Sequence, residues 1–247
     1  MRALWWIALA ACSSPKALDA PGDIATGSGV PPGQPGQPAA AAHTLVYYRY
    51  QSTSNTSIST PPLATQATGS TLVVSVGRGN RYVFAAPTDS KGNTYQQLGA
   101  TEKYTRYPDS GTALYAVPGA TGGAGLVIST TTEPKDETTL AAVEVVNATH
   151  VQDQQWNEQL AAPLQSKSVT TTGPATLVAF WWGDAPPPMV KTAVPNNGFT
   201  VIDSFLDEGE LVQCAVAVKN VAAAGTYDVT WVATPAQGAQ LWLIAIQ

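Results

Sequence analysis

The chain has 247 residues, a formal net charge of −5 at pH 7, and only 12% charged residues. Nucleic-acid binding relies on a basic surface, so this balance argues against nucleic acid as a partner. Two histidines and two cysteines are too few for a clustered zinc site, and we expect no metal and no cofactor.

The first twelve residues have the layout of an export signal. Arg2 precedes an apolar run at 3–10, and small residues precede Cys12. The run is too short to cross a bilayer, which takes about 20 apolar residues.

The segment Leu9-Ala10-Ala11-Cys12 resembles the lipobox of bacterial lipoproteins. This resemblance implies that residues 1–11 are a removed signal peptide and that Cys12 carries lipid chains that anchor the protein to a membrane. Ser13 follows the cysteine where an aspartate favours the inner membrane, which implies the outer membrane of a bacterial cell envelope. The alternative is an ordinary signal peptide with an incidental cysteine.

The remaining cysteine lies far along the chain. If Cys12 is acylated, Cys214 has no disulfide partner. It alternates with Val212, Val216 and Val218, which predicts a small buried side chain on a strand.

A tether is predicted at 12–42, because this segment is rich in Pro, Gly and Ala and has few large apolar residues. Such a composition buries too little surface to offset its ordering entropy, so we expect it to be disordered. Fully extended, it would reach roughly 100 Å.

Residues 43–247 are predicted to form an all-β, antiparallel β-sandwich. Short segments rich in β-branched and aromatic residues are separated by clusters of Gly, Pro, Asn and Asp. Asp153–Ala162 is the one weak helix candidate. The predicted strands are 44–50, 71–78, 94–98, 112–117, 125–132, 138–146, 167–172, 175–182, 199–205, 211–219, 226–232 and 240–246.

The two halves of this region repeat each other at an offset of about a hundred residues. The segment from Gly69 to Val74 is similar to that from Gly173 to Val178, and 114–117 and 140–146 find counterparts at 215–218 and 241–247. This favours one duplicated, jelly-roll-like sandwich whose halves share a core. Two tandem domains are the alternative, with a break at 152–166.

Four segments resemble a β-sandwich module that recurs in bacterial secreted and surface proteins: Asp89-Ser90-Lys91-Gly92-Asn93-Thr94-Tyr95, Leu114-Tyr115-Ala116-Val117, Leu126-Val127-Ile128-Ser129 and Val143-Glu144-Val145. The chain departs from the module at Val145-Val146-Asn147, where the module has Tyr-Ser-Gly. The resemblance implies a sandwich fold and a surface location, with no uniform activity.

Catalytic motifs are weak in this chain. Asp109-Ser110-Gly111-Thr112 matches an aspartic-protease triplet, but there is no second copy, and the same residues form ordinary turns. His43 and His150 have no Gly-x-Ser-x-Gly nucleophile turn to serve.

Two acidic residues have alternative interpretations. Glu144 interrupts an apolar strand; it is a candidate acid if buried, or else lies at an exposed edge or bonds to backbone. Asp89 offers oxygens for calcium, although its sequence context is typical of a turn.

Aromatic residues give the sharpest functional hypothesis. Trp181 and Trp182 follow each other on a strand and must face opposite sides, so we expect one ring to face solvent. Trp156 is placed in the irregular break, and Tyr104 and Tyr107 in a loop. Exposed rings suit stacking on sugars, while the alternative is that these rings fill the core.

These observations favour a tethered, non-catalytic binding module, with carbohydrate or an envelope polymer as its ligand. The alternative is a structural or protein-interaction component of the envelope with no small ligand. A hydrolase that uses Glu144 is the third hypothesis.

Overall fold

The computed structural model describes residues 36–48 and 56–247. The predicted signal peptide, Cys12 and most of the predicted tether lie outside the described residues. The predicted tether ends too late, because the first strand begins at Ala39. The strands are β1 (Ala39–Tyr48), β2 (Ser57–Ser59), β3 (Ser70–Arg78), β4 (Thr88–Asp89), β5 (Gln96–Tyr104), β6 (Tyr107–Ala120), β7 (Ile128–Thr131), β8 (Thr138–Val146), β9 (Val151–Gln159), β10 (Leu164–Gln165), β11 (Val169–Thr171), β12 (Ala175–Asp184), β13 (Thr192–Pro195), β14 (Thr200–Phe205), β15 (Val212–Val221), β16 (Gly225–Tyr227), β17 (Thr230–Thr234) and β18 (Ala239–Ile246).

The fold is all-β and antiparallel, as predicted. One five-stranded sheet has the order β1-β8-β3-β6-β5 and the other β14-β15-β12-β18-β9. Smaller sheets have the orders β2-β7-β4, β10-β17-β13 and β11-β16. Within the described residues no helix is long and apolar enough to cross a membrane.

The strand orders confirm the duplication. If β1, β8, β3, β6 and β5 of the first half correspond to β9, β18, β12, β15 and β14 of the second, the two large sheets have the same order. The same correspondence relates β2-β7-β4 to β10-β17-β13. Each half is therefore a large sheet with a small sheet of its own, and β11-β16 is an addition to the second half.

The two large sheets pack against each other and share a core, as the sequence predicts. In β12, Val178, Phe180 and Trp182 face the first half, while Leu177, Ala179 and Trp181 face the small sheets of the second half. Strand β12 is thus apolar on both faces, which is why its sequence reads as a continuous apolar run. The core between the halves contains Val73, Leu114, Val143, Val178, Phe180, Trp182, Cys214, Val216, Trp242 and Ile244.

Polar contacts also join the halves. The indole Nε1 of Trp242 donates to Oγ1 of Thr112 at 2.9 Å. The Glu158 carboxylate accepts a hydrogen bond from the backbone N–H of Thr105 at 2.6 Å. These bonds satisfy buried or partly buried groups of one half with groups of the other, which fixes the register of the packing.

Candidate functional site

The structure buries three of the five aromatic side chains that the sequence nominates for ligand binding. Trp181 and Tyr104 have no exposed surface, and Trp182 is only 3% exposed. The expectation that one tryptophan ring faces solvent is wrong, because the sheet that carries them is covered on both faces. Tyr104 ends β5 and turns inward, where its ring meets Trp182 edge to face at 6.1 Å between centroids.

The other two aromatic residues keep some access to solvent. Trp156 is half-buried on β9, opposite Trp242 of β18. The predicted helix at 153–162 and the predicted irregular break are both wrong, because this segment forms an edge strand. Tyr107 begins β6 and is 43% exposed, with the Arg106 guanidinium carbon 5.9 Å from its ring centroid.

Tyr107 lies at the wall of a cavity of about 340 Å³ that both halves line. We call it the inter-half cavity. It lies where β3 and β12 end and where β6, β8 and β15 begin. Its lining residues are Gly79, Asn80, Tyr107, Pro108, Asp109, Ser110, Glu137, Asp184 and Leu211.

A buried ion pair positions one wall of the inter-half cavity. Arg78 and Asp136 are 1% and 0% exposed, and the Arg78 Nε donates to Oδ2 of Asp136. Oδ1 of Asp136 accepts the backbone N–H groups of Asn80 at 3.0 Å and Glu137 at 2.8 Å. The pair therefore fixes two cavity residues, and removing one member would leave a buried charge uncompensated.

Glu137 is the most perturbed carboxyl group of this cavity. Burial, with the nearby Asp184 and Glu210 charges, raises its pKa to about 7, against the opposing effect of a hydrogen bond from Tyr47. The Tyr47 hydroxyl lies 3.1 Å from Oε1 of Glu137 and 3.2 Å from Oε2 of Glu210. One phenol proton can be donated to only one of these two carboxyl groups at a time.

Two further charged groups adjoin Glu137. Burial raises the pKa of Asp184, while Arg106 and Lys191 act in the opposite direction. Burial lowers the pKa of Lys191, whose Nζ donates to the backbone carbonyl of Glu210. Sequence reasoning missed this set. One signal in the sequence points to these residues. The chain has few charged residues, and several of them lie directly beside apolar strands.

A second concavity lies at the opposite end of the packed sheets, between the edge strands β5 and β9. It has a volume of about 560 Å³ and we call it the amide cleft. Ser70 at the start of β3 pairs with Ala120 at the end of β6, which places Pro118 of the cleft far from the Arg78 end of β3. The cleft is lined by Gln96, Leu98, Pro118, His150, Val151, Gln152, Asp153, Gln154 and Gln155.

The remaining sequence candidates have structural partners. Both oxygens of Asp89 accept hydrogen bonds within the turn: Oδ1 from the backbone of Lys91 and Asn93, Oδ2 from the Tyr95 hydroxyl at 2.9 Å. Although burial opposes it, this hydrogen bonding lowers the pKa of Asp89. Glu144 is 2% exposed and accepts the backbone N–H of Gln66 at 2.7 Å, which confirms the backbone-bonded alternative.

Across the part of the chain that the structure describes, no group of three or more His, Cys, Asp or Glu residues is arranged to hold a metal ion. The chain matches no protein-family model, and searches of curated proteins and of solved structures likewise return no match. The arrangement of the described residues therefore carries the functional argument.

Proposed function

We propose that this chain is a membrane-tethered lipoprotein of the bacterial cell envelope, whose folded part is a non-catalytic module that binds carbohydrate or an envelope polymer. The observation that supports this proposal most is the inter-half cavity, in which the partly exposed Tyr107 ring stands beside carboxylate, amide and hydroxyl groups. Few, well-placed polar groups around an accessible ring are typical of ligand sites.

The cavity offers both kinds of contact that a sugar needs. The exposed face of Tyr107 can stack on the apolar face of a pyranose ring, and aromatic stacking adds about 0.5–1.5 kcal/mol beyond area burial. Asp109 and Asp184 line the same space, and neither side chain makes a hydrogen bond to the described residues. Their oxygens are therefore available to accept hydrogen bonds from sugar hydroxyls.

The bonding of Glu137 argues against a role for this residue as a catalytic acid. A glycosidase needs two carboxyl groups, each facing the bond to be broken. The Glu137 carboxyl group is instead bonded to the Tyr47 hydroxyl at 3.1 Å and to the backbone of Leu211. This bonding supports a structural part for Glu137 at the contact between the halves.

The binding proposal is tested with Tyr107→Ala and its conservative partner Tyr107→Phe. The full chain is screened on an array of bacterial glycans and envelope polysaccharides, and the affinity of the strongest ligand is measured by calorimetry. We expect Tyr107→Ala to weaken binding about tenfold, because a stacking face is lost, and Tyr107→Phe to keep most of the affinity. Tyr227→Ala, a half-buried tyrosine in the outer layer of the second half, is the matched control. Equal affinities for all three variants would overturn the assignment of the cavity.

The anchor is tested separately. Cells expressing the wild-type chain or Cys12→Ser are labelled with palmitate and their inner and outer membranes are separated. We expect label on the wild-type chain in the outer-membrane fraction and none on Cys12→Ser, because acylation at this residue is the only attachment proposed. Unlabelled wild-type protein would refute the anchor without bearing on the cavity.

The alternative function, an envelope component that binds protein, has one observation in its favour. Val194 of β13 and Val232 of β17 are paired across the small sheet and are 57% and 66% exposed. Two adjacent exposed valines suit a protein contact better than a sugar. This alternative would be favoured if the chain forms a stable complex with an envelope protein that Val194→Ser/Val232→Ser abolishes. It would also require that the chain binds no glycan on the array.

A further inference from the structure

The amide cleft has one carboxylate among its lining residues, in contrast to the carboxylate-rich inter-half cavity. Four of its nine lining residues are glutamines. Both oxygens of its one carboxylate, Asp153, already accept hydrogen bonds. Oδ2 accepts one from the backbone N–H of Thr170 at 2.8 Å, and Oδ1 accepts one from Nε2 of Gln155 at 3.1 Å. A ligand in this cleft therefore meets mainly amides, together with the His150 imidazole and a carboxylate whose two oxygens already accept hydrogen bonds.

Two of the glutamines keep their amide groups available. Gln152 is bonded to Thr172 at 2.9 Å and Gln155 to Asp153, whereas the side chains of Gln96 and Gln154 make no hydrogen bond within residues 36–48 and 56–247. A primary amide offers two N–H donors and one carbonyl acceptor, a combination that matches neighbouring sugar hydroxyls, which both donate and accept.

The cleft is also held in shape by the strands that form it. Strand β9 is paired with β18 along its length, and Gln154 stands opposite Ile244 in that pairing. Strand β5 passes so close that a Cβ added at Gly99 would lie 3.3 Å from Oε1 of Gln154. A preformed site loses less entropy when a ligand binds, so the position of this amide favours recognition.

We infer that the amide cleft is a second binding site, for a neutral saccharide chain, with Gln96 and Gln154 as its hydrogen-bonding residues. Leu98, Pro118 and Val151 supply the apolar floor against which sugar C–H groups can pack. Because β5 and β9 are edge strands, addition of a peptide strand is the competing occupant, and the peptide probe below distinguishes it from a saccharide. The inference rests on the carbohydrate class proposed above but on different residues.

Two sites at opposite ends of the packed sheets have a functional consequence. Strand β3 has 9 residues, so the ends of the interface lie roughly 30 Å apart. A long polysaccharide that reaches both sites would bind the second one as an intramolecular event, which raises the apparent affinity without any new contact.

The test follows the side-chain NH₂ resonances of ¹⁵N-labelled full chain during titration. The probes are cellohexaose, maltohexaose, xylohexaose and the N-acetylglucosamine hexamer, with a Gly-Ser-Asn decapeptide as the peptide probe. We expect one of the saccharides to shift the Gln96 and Gln154 resonances, in the wild type and equally in Tyr107→Ala. Gln96→Ala and Gln154→Ala should each weaken that binding about three- to tenfold.

Gln97→Ala is the matched control. Gln97 neighbours Gln96 but points to the other face of β5, and its amide is bonded to Thr101 at 3.0 Å. We expect no change of affinity in this variant.

Three outcomes overturn the inference. Shifts confined to the inter-half cavity and abolished by Tyr107→Ala would leave the proposed function standing while refuting a second site. Cleft resonances that respond only to the decapeptide would assign the cleft to peptides. The absence of any cleft shift at millimolar concentrations of all four saccharides would remove the site altogether. Conversely, cleft binding with no ligand dependent on Tyr107 would refute the proposed function of the cavity and keep the inference.

Discussion

Replacing Gly77 with alanine tests whether the two halves pack against each other as described. Gly77 lies on β3 of the first half, and the indole of Trp182 from the second half lies directly against it. A Cβ at this position would be 2.5 Å from Cδ1 of Trp182 and 2.6 Å from Oγ1 of Thr139. Both side chains are buried in a close-packed interior and cannot simply move into solvent.

Overpacking of a core typically costs about 1–3 kcal/mol. Since Gly77→Ala creates two such clashes, we expect the free energy of unfolding to fall by about 2–3 kcal/mol, with a decrease of about 5–10 °C in Tm for a domain of this size. The assay is urea unfolding followed by far-UV circular dichroism. Gly173→Ala is the control, because its Cβ would meet nothing nearer than 3.6 Å, and a change within about 0.5 kcal/mol is expected there.

A double-mutant cycle shows whether Trp182 is the cause. In a Trp182→Leu background the indole is gone and the Thr139 hydroxyl can rotate away, so Gly77→Ala should cost less than about 1 kcal/mol. Equal costs in both backgrounds would refute the reasoning, and so would a wild-type stability for Gly77→Ala.

Two further predictions concern buried ionisable groups. Folding raises the pKa of Glu137 from 4.5 to about 7, so the protonated carboxyl group stabilises the folded state. This contribution to the free energy of unfolding is fully present below pH 4.5 and is lost as the pH rises to 7. The loss is at most about 3 kcal/mol. Urea unfolding between pH 4 and 8 should show this decrease in the wild type and a flatter profile in Glu137→Gln; parallel profiles would contradict it. Cys214 is 2% exposed and burial raises the pKa of its thiol, so in Cys12→Ser it should resist a thiol reagent in native buffer and react fully in denaturant. Rapid native labelling would place this residue elsewhere.

The apolar strands and the duplication could be predicted from the sequence, because they depend on local patterns that survive folding. Strand β9 could not. Its sequence from Val151 to Gln159 is polar and shows no alternation of apolar residues. The strand lies at the edge of its sheet, where Gln154 faces the amide cleft and Glu158 accepts a bond from the first half. A partner from the other half satisfies the Glu158 carboxylate, and a sequence does not display such partners.

The candidate site was predicted less well for a related reason. The expectation for Trp181 and Trp182 assumed a sheet with one open face, whereas the duplication supplies a covering layer on each side. Tyr107 was nominated correctly as an accessible ring, but the residues that build its surroundings were not. Arg78 and Asp136 act as a pair across 58 positions of the chain, and nothing local marks them as partners.

Comparing equivalent positions of the two halves explains where the inter-half cavity comes from. Val73 pairs with Val143 in the first half as Val178 pairs with Ile244 in the second, and both valines lie in the core between the halves. These two valines therefore correspond, which corrects by one residue the alignment of 69–74 with 173–178 that the sequence suggests. The same spacing makes Gly77 the counterpart of Trp182. If both positions carried tryptophan, the two indoles would clash at the contact between the halves. Glycine at position 77 leaves room for the indole of Trp182.

The next two positions differ in the same way. Arg78 of the first half corresponds to Gly183 of the second, and Gly79 corresponds to Asp184. One half thus contributes the ion pair that fixes the wall, and the other contributes a carboxylate that lines the space. A symmetric duplicate would repeat the same side chain on both sides of the contact. The divergence of β3 from β12 at their last residues is therefore what turns a packing contact between two similar sheets into a cavity with distinct polar walls.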